Sequence, residues 1–169
     1  KNDLNTLSKR SYSKLKGLNK NYILLHFDEK WIHKNYISSY FNIEPNEKEL
    51  ISFLNSVVNK TNKDLVVTTG LNSPLILEKI FSNKFNDKIS FFKNLDFFQI
   101  ENIIDNCDLL ISCHGAVSHV AAAKNIKQID IIDYSKNNFY KKWTDHFRNY
   151  NLVYRKKFIQ LNSEIINML

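Results

Sequence analysis

One short stretch of the chain concentrates residues that can do chemistry: Cys113-His114-Gly115-Ala116-Val117-Ser118-His119. It is entered from the apolar run Leu109-Leu110-Ile111-Ser112 and left through Val120-Ala121-Ala122-Ala123. A glycine at a tight strand-to-helix turn lets a ligand come close to the backbone. The helix that follows offers unpaired N–H groups and the positive end of its dipole to an anion. Ser118 and His119 fall in the first turn of that helix, where a hydroxyl and an imidazole can reach a phosphate. The alanines let the helix pack close to a sheet. A tight turn with a packed helix and no ligand uses the same residue types.

Other reactive side chains are weaker signals. His26 and His33 flank Lys30-Trp31. A histidine at a strand end is usually a satisfied, half-buried one, and His33 reads as surface. Cys107, Cys113, His114 and His119 match no zinc-ligand spacing, so no metal site is expected. A Cys113–His114 nucleophile lacks an orienting partner, and adjacent turn residues point apart. Asp28 and Glu29 read as solvated loop carboxylates. Asp133, just past an apolar run, can reach a sugar hydroxyl, while Asp130 lies within that run. No Gly-x-Gly-x-x-Gly follows the first strand and no Gly-Lys-Ser/Thr loop occurs, which removes the main support for dinucleotide binding and P-loop hydrolysis.

The elements that must hold these residues follow from hydrophobic period. Tyr22 to Phe27, Leu65 to Thr69, Ile89 to Phe92, Leu109 to Ser112, Ile129 to Ile132 and Leu152 to Tyr154 read as strands, several of them apolar enough for burial on both faces. Residues 28–45 read as a mixed loop or broken helix. Helices are predicted over Glu47 to Asn59, from Pro74 onward, over Phe97 to Asn106 (with Cys107 late in it), over Val117 to Lys124 and over Phe139 to Tyr150. A last helix, Glu164 to Leu169, is predicted to be capped by Ser163. The stretch Tyr140 to Arg148 mixes basic and aromatic residues, as a nucleic-acid or membrane-surface patch does. It reads first as an amphipathic helix with solvated lysines, with Phe139, Trp143 and Phe147 in core or interdomain contacts. Strand and helix alternate, so the fold expected is α/β, an open, doubly wound, mostly parallel Rossmann-like sheet of about six strands. Ligands of such sheets sit beyond the carboxyl ends of the strands.

Composition bounds the rest. The 169 residues are 43% hydrophobic and 13% aromatic with 3 Gly and 2 Pro, which excludes collagen-like and disordered classes and suffices for one core. Residues 1–20 read as a polar, basic lead-in or linker, and 21–169 as a single domain. The chain starts without Met, as a piece of a longer protein would. No apolar run has the length of a membrane helix, and two Cys make no disulfide framework, so a cytoplasmic setting is expected. The formal charge of +7, from 24 Lys+Arg against 17 Asp+Glu, fits an anionic partner: a nucleotide, an acidic glycan or a membrane surface.

With these pieces in order, residues 22–135 resemble the C-terminal, nucleotide-sugar-binding half of a GT-B glycosyltransferase, most like the heptosyltransferase-like family. That half opens with a strand and a loop carrying Lys and Trp, matched by Glu29-Lys30-Trp31. Its Asp-Leu-hydrophobic-hydrophobic-Ser strand is matched by Asp108-Leu109-Leu110-Ile111-Ser112, and its Asp-Thr-Gly-x-x-His-x-Ala-Ala turn by Cys113 to Ala122. Here Cys113-His114 replaces Asp-Thr, and His119 comes one residue later after the glycine. No acidic residue follows Gly70, where Leu71-Asn72-Ser73-Pro74 stands.

The resemblance implies that Gly115, Ala116 and Val117 present backbone N–H groups to the donor diphosphate. Ser118 and His119 add side-chain donors, His114 faces the same crevice, and Lys30 supplies positive charge in place of a metal. Phe92, Lys93 and Asn94 would meet the base. The general base and acceptor pocket belong to the other, N-terminal half, so no catalytic residue is assigned and no cofactor is implied. The function implied is that of a donor-binding domain in a transferase building a surface glycan such as lipopolysaccharide. The acceptor is a glycan or lipid-linked, with a peripheral contact at the inner face of the membrane. A sugar-nucleotide epimerase is a related expectation. The alternative is a non-catalytic basic module binding nucleic acid or an anionic surface, with steeply salt-dependent, base-indifferent affinity.

Overall fold

The computed structural model describes residues 21–82 and 85–169; the basic lead-in over residues 1–20 lies outside the described residues. The strands are β1 Tyr22–His26, β2 Leu65–Thr68, β3 Ile89–Phe92, β4 Cys107–Cys113, β5 Lys127–Ile132 and β6 Tyr150–Tyr154. The helices are α1 Glu47–Thr61, α2 Leu75–Ile80, α3 Phe97–Asp105, α4 Ala116–Ala123, α5 Asn137–Thr144 and α6 Phe158–Met168. The strands form one six-stranded sheet in the order β3-β2-β1-β4-β5-β6. Every neighbouring pair is parallel. The chain builds outward from β1 to β3, then returns to lay β4 on the other side of β1. The order therefore reverses between β1 and β4, where open α/β sheets form their ligand crevice.

Both faces of the sheet are covered, as the apolar strands require. On one face, Ile23, Leu25, Leu65, Val67, Ile111, Ile129 and Val153 share a core with Phe53 and Leu54 of α1 and Phe158 and Leu161 of α6. Phe53 meets Phe158 edge to face at 5.7 Å. On the other face, Leu24, Val66 and Leu110 pack with Ile103 and Ile104 of α3 and Ala121 of α4. The small side chain of Ala121 lets α4 lie near the strands, which matters below because α4 carries the site. Two helix starts are fixed by reciprocal caps: Asn46 with Glu49 opens α1, and Asp96 with Gln99 opens α3.

Three boundaries differ from those the sequence predicts. Cys107 opens β4 instead of ending α3. Residues 28–45 are the mixed, broken stretch that the sequence predicts: a short 3-10 turn, Glu29–Trp31, then irregular chain anchored by buried Trp31 and Ile43. Helix α5 stops at Thr144, because Phe147 folds back (its amide bonds to the Thr144 carbonyl at 2.9 Å) so that β6 can reach β5. Of the three aromatics expected in core or interdomain contacts, Phe147 is buried in the core, while Phe139 and Trp143 stand 59% and 54% exposed, outside it. The last helix begins at Phe158, since Phe158, Leu161 and Ile165 bury one stripe. Ser163 sits inside that helix and donates its hydroxyl to the Ile159 carbonyl at 3.1 Å, the usual mid-helix use of serine. No described helix is long and apolar enough to cross a membrane.

Candidate functional site

Near their carboxyl ends the central strands turn polar at one register position. His26 of β1 lies beside Thr68 of β2 and Ser112 of β4, and Ser112 lies beside Asp130 of β5. Strand alternation puts this row on the face that carries Leu24, Val66 and Leu110. All are buried and all are paired. His26 Nδ1 is 2.9 Å from Thr68 Oγ1, and Ser112 Oγ is 3.4 Å from Ser118 Oγ of α4. Buried polar groups demand such partners, so the row is held rigid.

The turn after β1 supplies the cation. Asp28 caps the 3-10 turn by accepting the Lys30 amide at 3.1 Å, and its other oxygen accepts the Lys30 ammonium. That same oxygen lies 3.6 Å from His26 Nε2. Burial alone would lower the Lys30 pKa, but the Asp28 carboxylate outweighs it and the net shift is upward, so the ammonium stays charged. Burial drives the His26 pKa down to about 4, with Asp28 opposing and Lys30 adding to the shift. Trp31 locks the turn by stacking on Phe27 at 4.9 Å and donating its indole N–H to the His26 carbonyl at 3.0 Å.

Both described glycines make room for this turn. A Cβ on Gly70, after β2, would lie 2.7 Å from Glu29 Oε2. A Cβ on Gly115, after β4, would lie 3.0 Å from Lys30 Cε and 3.1 Å from Nζ. Gly115 has an extended φ of 176°, so close approach and not an unusual backbone angle calls for glycine there. The Lys30 ammonium is thereby laid against the turn that starts α4, at the point where the strand order reverses.

The turn itself is fixed from behind. Gly115 N donates to Ser118 Oγ at 3.3 Å, and Ser118 Oγ donates to Asp130 Oδ1 at 2.8 Å. Ser118 is fully buried, so its hydroxyl braces the turn from inside. The first amides of α4, Ala116 and Val117, have no acceptor within the helix and none among the other described residues, so they can meet an anion. His114 is tied twice to β5: its amide to the Ile131 carbonyl at 3.0 Å and its Nδ1 to Asp130 Oδ2 at 2.6 Å. His119, one turn on, packs its ring on His114 at 5.2 Å and on Phe147 at 5.2 Å. Burial, then the neighbouring His114, holds the His119 pKa below its usual value.

The structure thus gathers Lys30, His114, Gly115, Ala116, Val117, Ser118 and His119 at one place. Phe92, Lys93 and Asn94 stand apart, at the end of the edge strand β3. Phe92 packs half-buried on the α3 side, Lys93 pairs with Glu78 at 2.7 Å, and Asn94 takes a left-handed φ of 55°. Asp133 follows β5 and is engaged already: Oδ1 accepts from Ser135 Oγ at 2.6 Å, and Oδ2 accepts the Phe41 amide at 2.8 Å. Burial would raise its pKa, but these hydrogen bonds and nearby Arg155 win and lower it.

Arg155 is the residue that sequence reasoning missed. Its guanidinium donates to the Lys30 carbonyl at 2.7 Å and the Phe41 carbonyl at 3.0 Å, approaches Cys113 Sγ at 3.6 Å, and lies over the Tyr40 ring. It straps the turn after β1 to the end of β6. Its rarity was the only available signal, since Arg10, Arg148 and Arg155 are the only arginines in a lysine-rich chain. Cys113 is buried, and burial raises its thiol to about 12 despite Arg155, which leaves no thiolate for nucleophilic chemistry. Cys107 and Cys113 stand at opposite ends of β4.

No protein-family model and no curated protein matches this chain. Solved structures do. The UDP-GlcNAc 2-epimerase of Methanocaldococcus jannaschii, in complex with UDP-GlcNAc and UDP, superposes with a TM-score of 0.63 at 15% identity, over 95% of this chain and 43% of that one. A Listeria monocytogenes protein assigned as a UDP-N-acetylglucosamine 2-epimerase superposes with a TM-score of 0.63 at 16% identity, over 92% of this chain and 38% of that one. The chain spans less than half the length of either. At this identity the likeness is one of fold: the chain has the architecture of a GT-B-type half-domain.

Proposed function

We propose that residues 21–169 are the nucleotide-sugar-binding half of a GT-B-type glycosyltransferase, with residues 1–20 leading into it. The enzyme would move a sugar from a nucleoside-diphosphate donor to a glycan or lipid-linked acceptor. The observation that carries this reading is the charged Lys30 ammonium lying against Gly115, beside the free Ala116 and Val117 amides, at the reversal of strand order. A diphosphate seated there meets a cation and a helix N-terminus together. When the glycosidic bond breaks, negative charge grows on the departing diphosphate, and these same groups oppose it. Phe92, Lys93 and Asn94 are assigned to the base and Asp133 to the sugar, on either side of the diphosphate along the strand ends. The general base and acceptor pocket belong to the missing half, so this chain alone binds donor and turns nothing over. The sequence order of Lys30-Trp31, Asp108 to Ser112 and the Gly115 turn supports a heptosyltransferase-like enzyme. The fold likeness to the Methanocaldococcus enzyme favours a second reading, epimerisation of a nucleotide sugar bound at the same site.

The test is a two-dimensional amide NMR titration with UDP, ADP, GDP and CMP at low and moderate salt. One nucleotide is expected to shift the amides of Gly115 to His119 and of Lys30, with shifts that survive added salt. Shifts that are alike for all nucleotides and vanish with salt would mark a general basic surface instead. Analysis of sugar products from the whole enzyme separates transfer from epimerisation.

A further inference from the structure

Behind the anion-binding turn stands a carboxylate that the function proposed above leaves without a role. Asp130 is fully buried in β5 and accepts three hydrogen bonds: His114 Nδ1 at 2.6 Å and Tyr150 Oη at 3.0 Å on Oδ2, and Ser118 Oγ at 2.8 Å on Oδ1. A buried carboxylate is costly unless paired with positive charge. Of its three donors, two are neutral hydroxyls, and only His114 can become a cation. Tyr150 is held in its neutral form, its pKa raised by burial and then by Asp130, so it can only donate.

The contact also decides which ring atom is available. With Nδ1–H committed to Asp130, the proton that comes and goes is the one on Nε2. The His114 side chain is 8% exposed, and Nε2 has no protein partner among the described residues. The ring cannot swing, because it is packed edge-on by His119 at 5.2 Å and by Tyr140 at 4.7 Å. His114 is the residue directly before Gly115, in the same turn as the proposed diphosphate site.

We propose that Asp130 and His114 form a proton-linked clamp: Asp130 fixes His114 so that Nε2–H closes on a terminal phosphate oxygen of the bound nucleoside diphosphate, and binding takes up a proton. The clamp rests on the donor-site reading above and adds a pH-dependent partner to Lys30, whose charge does not change near neutral pH. Asp130 is a positioning residue and His114 the group that touches ligand. The groups around His114 are Asp130 from β5, which also holds Ser118 of α4 and Tyr150 of β6, His119 from α4, Tyr140 from α5 and, against Gly115, the Lys30 ammonium. His146 lies beyond His119. The positive charges of Lys30 and of any protonated His119 oppose the uptake, and Asp130 favours it. A bound phosphate dianion tips this balance.

The experiment is calorimetric titration of the full chain with UDP, or with whichever nucleotide the NMR screen selects, between about pH 6 and about pH 8. The nucleotide's own phosphate and the other histidines titrate in every variant, so the informative quantity is wild-type affinity divided by that of His114→Gln. This ratio is expected to fall about tenfold as the pH rises across that range. Asp130→Asn is expected to flatten the wild-type profile in the same way. Should Asp130→Asn not fold, long-range proton–nitrogen spectra of the wild-type His114 ring decide alone. They should show Nδ1–H with bare Nε2 in the free protein near pH 8, and a doubly protonated ring at nucleotide saturation near pH 7. An Nε2–H tautomer in the free protein, or a ring unchanged at saturation, overturns the clamp. So does an affinity ratio that is flat with pH. These outcomes leave the donor site standing if nucleotide still binds. Absence of nucleotide binding at every pH overturns the donor-site reading and the clamp together.

Discussion

The Lys30 ammonium lies 3.1 Å from where a side chain on Gly115 would begin. The cation from one strand end thus occupies the space that the glycine at another leaves open. Gly115→Ala would push against the flexible tip of Lys30 and not against backbone, so the protein should fold with a loss below about 1 kcal/mol. Nucleotide affinity should fall about tenfold, because the ammonium is displaced from the turn. Thermal melting and titration calorimetry on the same samples check both parts; unchanged affinity would separate Lys30 from the anion site.

Lys30→Met removes the cation and leaves Asp28 buried without its partner. The expected cost is about 2–4 kcal/mol in urea unfolding, most of it the stranded carboxylate. The double variant Asp28→Asn with Lys30→Met should regain part of that stability without regaining nucleotide affinity. If the double variant is as unstable as the single one, the penalty lies in packing and not in charge.

His26 gives the fold an acid-sensitive element. Its folded pKa of about 4 lies below the ordinary 6.5, so between those values the unfolded chain binds a proton that the folded chain refuses. Stability therefore rises with pH across that window and is lost as pH falls from about 6.5 toward about 4. Near pH 5 the loss from this residue is on the order of 2 kcal/mol. Urea midpoints at pH 7 and pH 5 should differ more for wild type than for His26→Gln, and equal differences would refute the assignment.

Arg155→Lys keeps the charge but loses the planar fork that reaches the Lys30 and Phe41 carbonyls together. Amides of the segment 28–45 should exchange faster by about tenfold, with a stability loss of about 1 kcal/mol. Hydrogen exchange read by mass spectrometry checks this, and protection equal to wild type would show that the strap is dispensable.

The cysteines should be inert. Cys113 is buried with its thiol raised to about 12, and Cys107 is likewise raised by burial to about 12. A thiol reagent at pH 8 should label neither in the native protein and both in urea. Rapid native labelling of either would contradict this burial.

The alternating architecture was legible because its signals are local. Apolar runs such as Leu109 to Ile111 report burial on both faces, Glu47 to Asn59 shows helical spacing behind an Asn46 cap, and Gly115 marks a tight turn between strand and helix. Each depends on a few neighbouring side chains, so the sequence by itself determined that this is a mostly parallel α/β fold with a tight glycine turn into a helix after the fourth strand. What each polar side chain does there was decided by tertiary structure alone. Ser118 reads as a phosphate donor, yet its hydroxyl is turned inward to Asp130; Asp28 reads as a solvated carboxylate, yet it is buried under Lys30. Arg155 reaches the Lys30 carbonyl from 125 residues away. These partnerships depend on strand order and register: β4 had to insert beside β1, and β5 beside β4, before Asp130 could stand behind His114. Periodicity reports whether a residue is buried. Only the assembled sheet fixes which residue it is buried against.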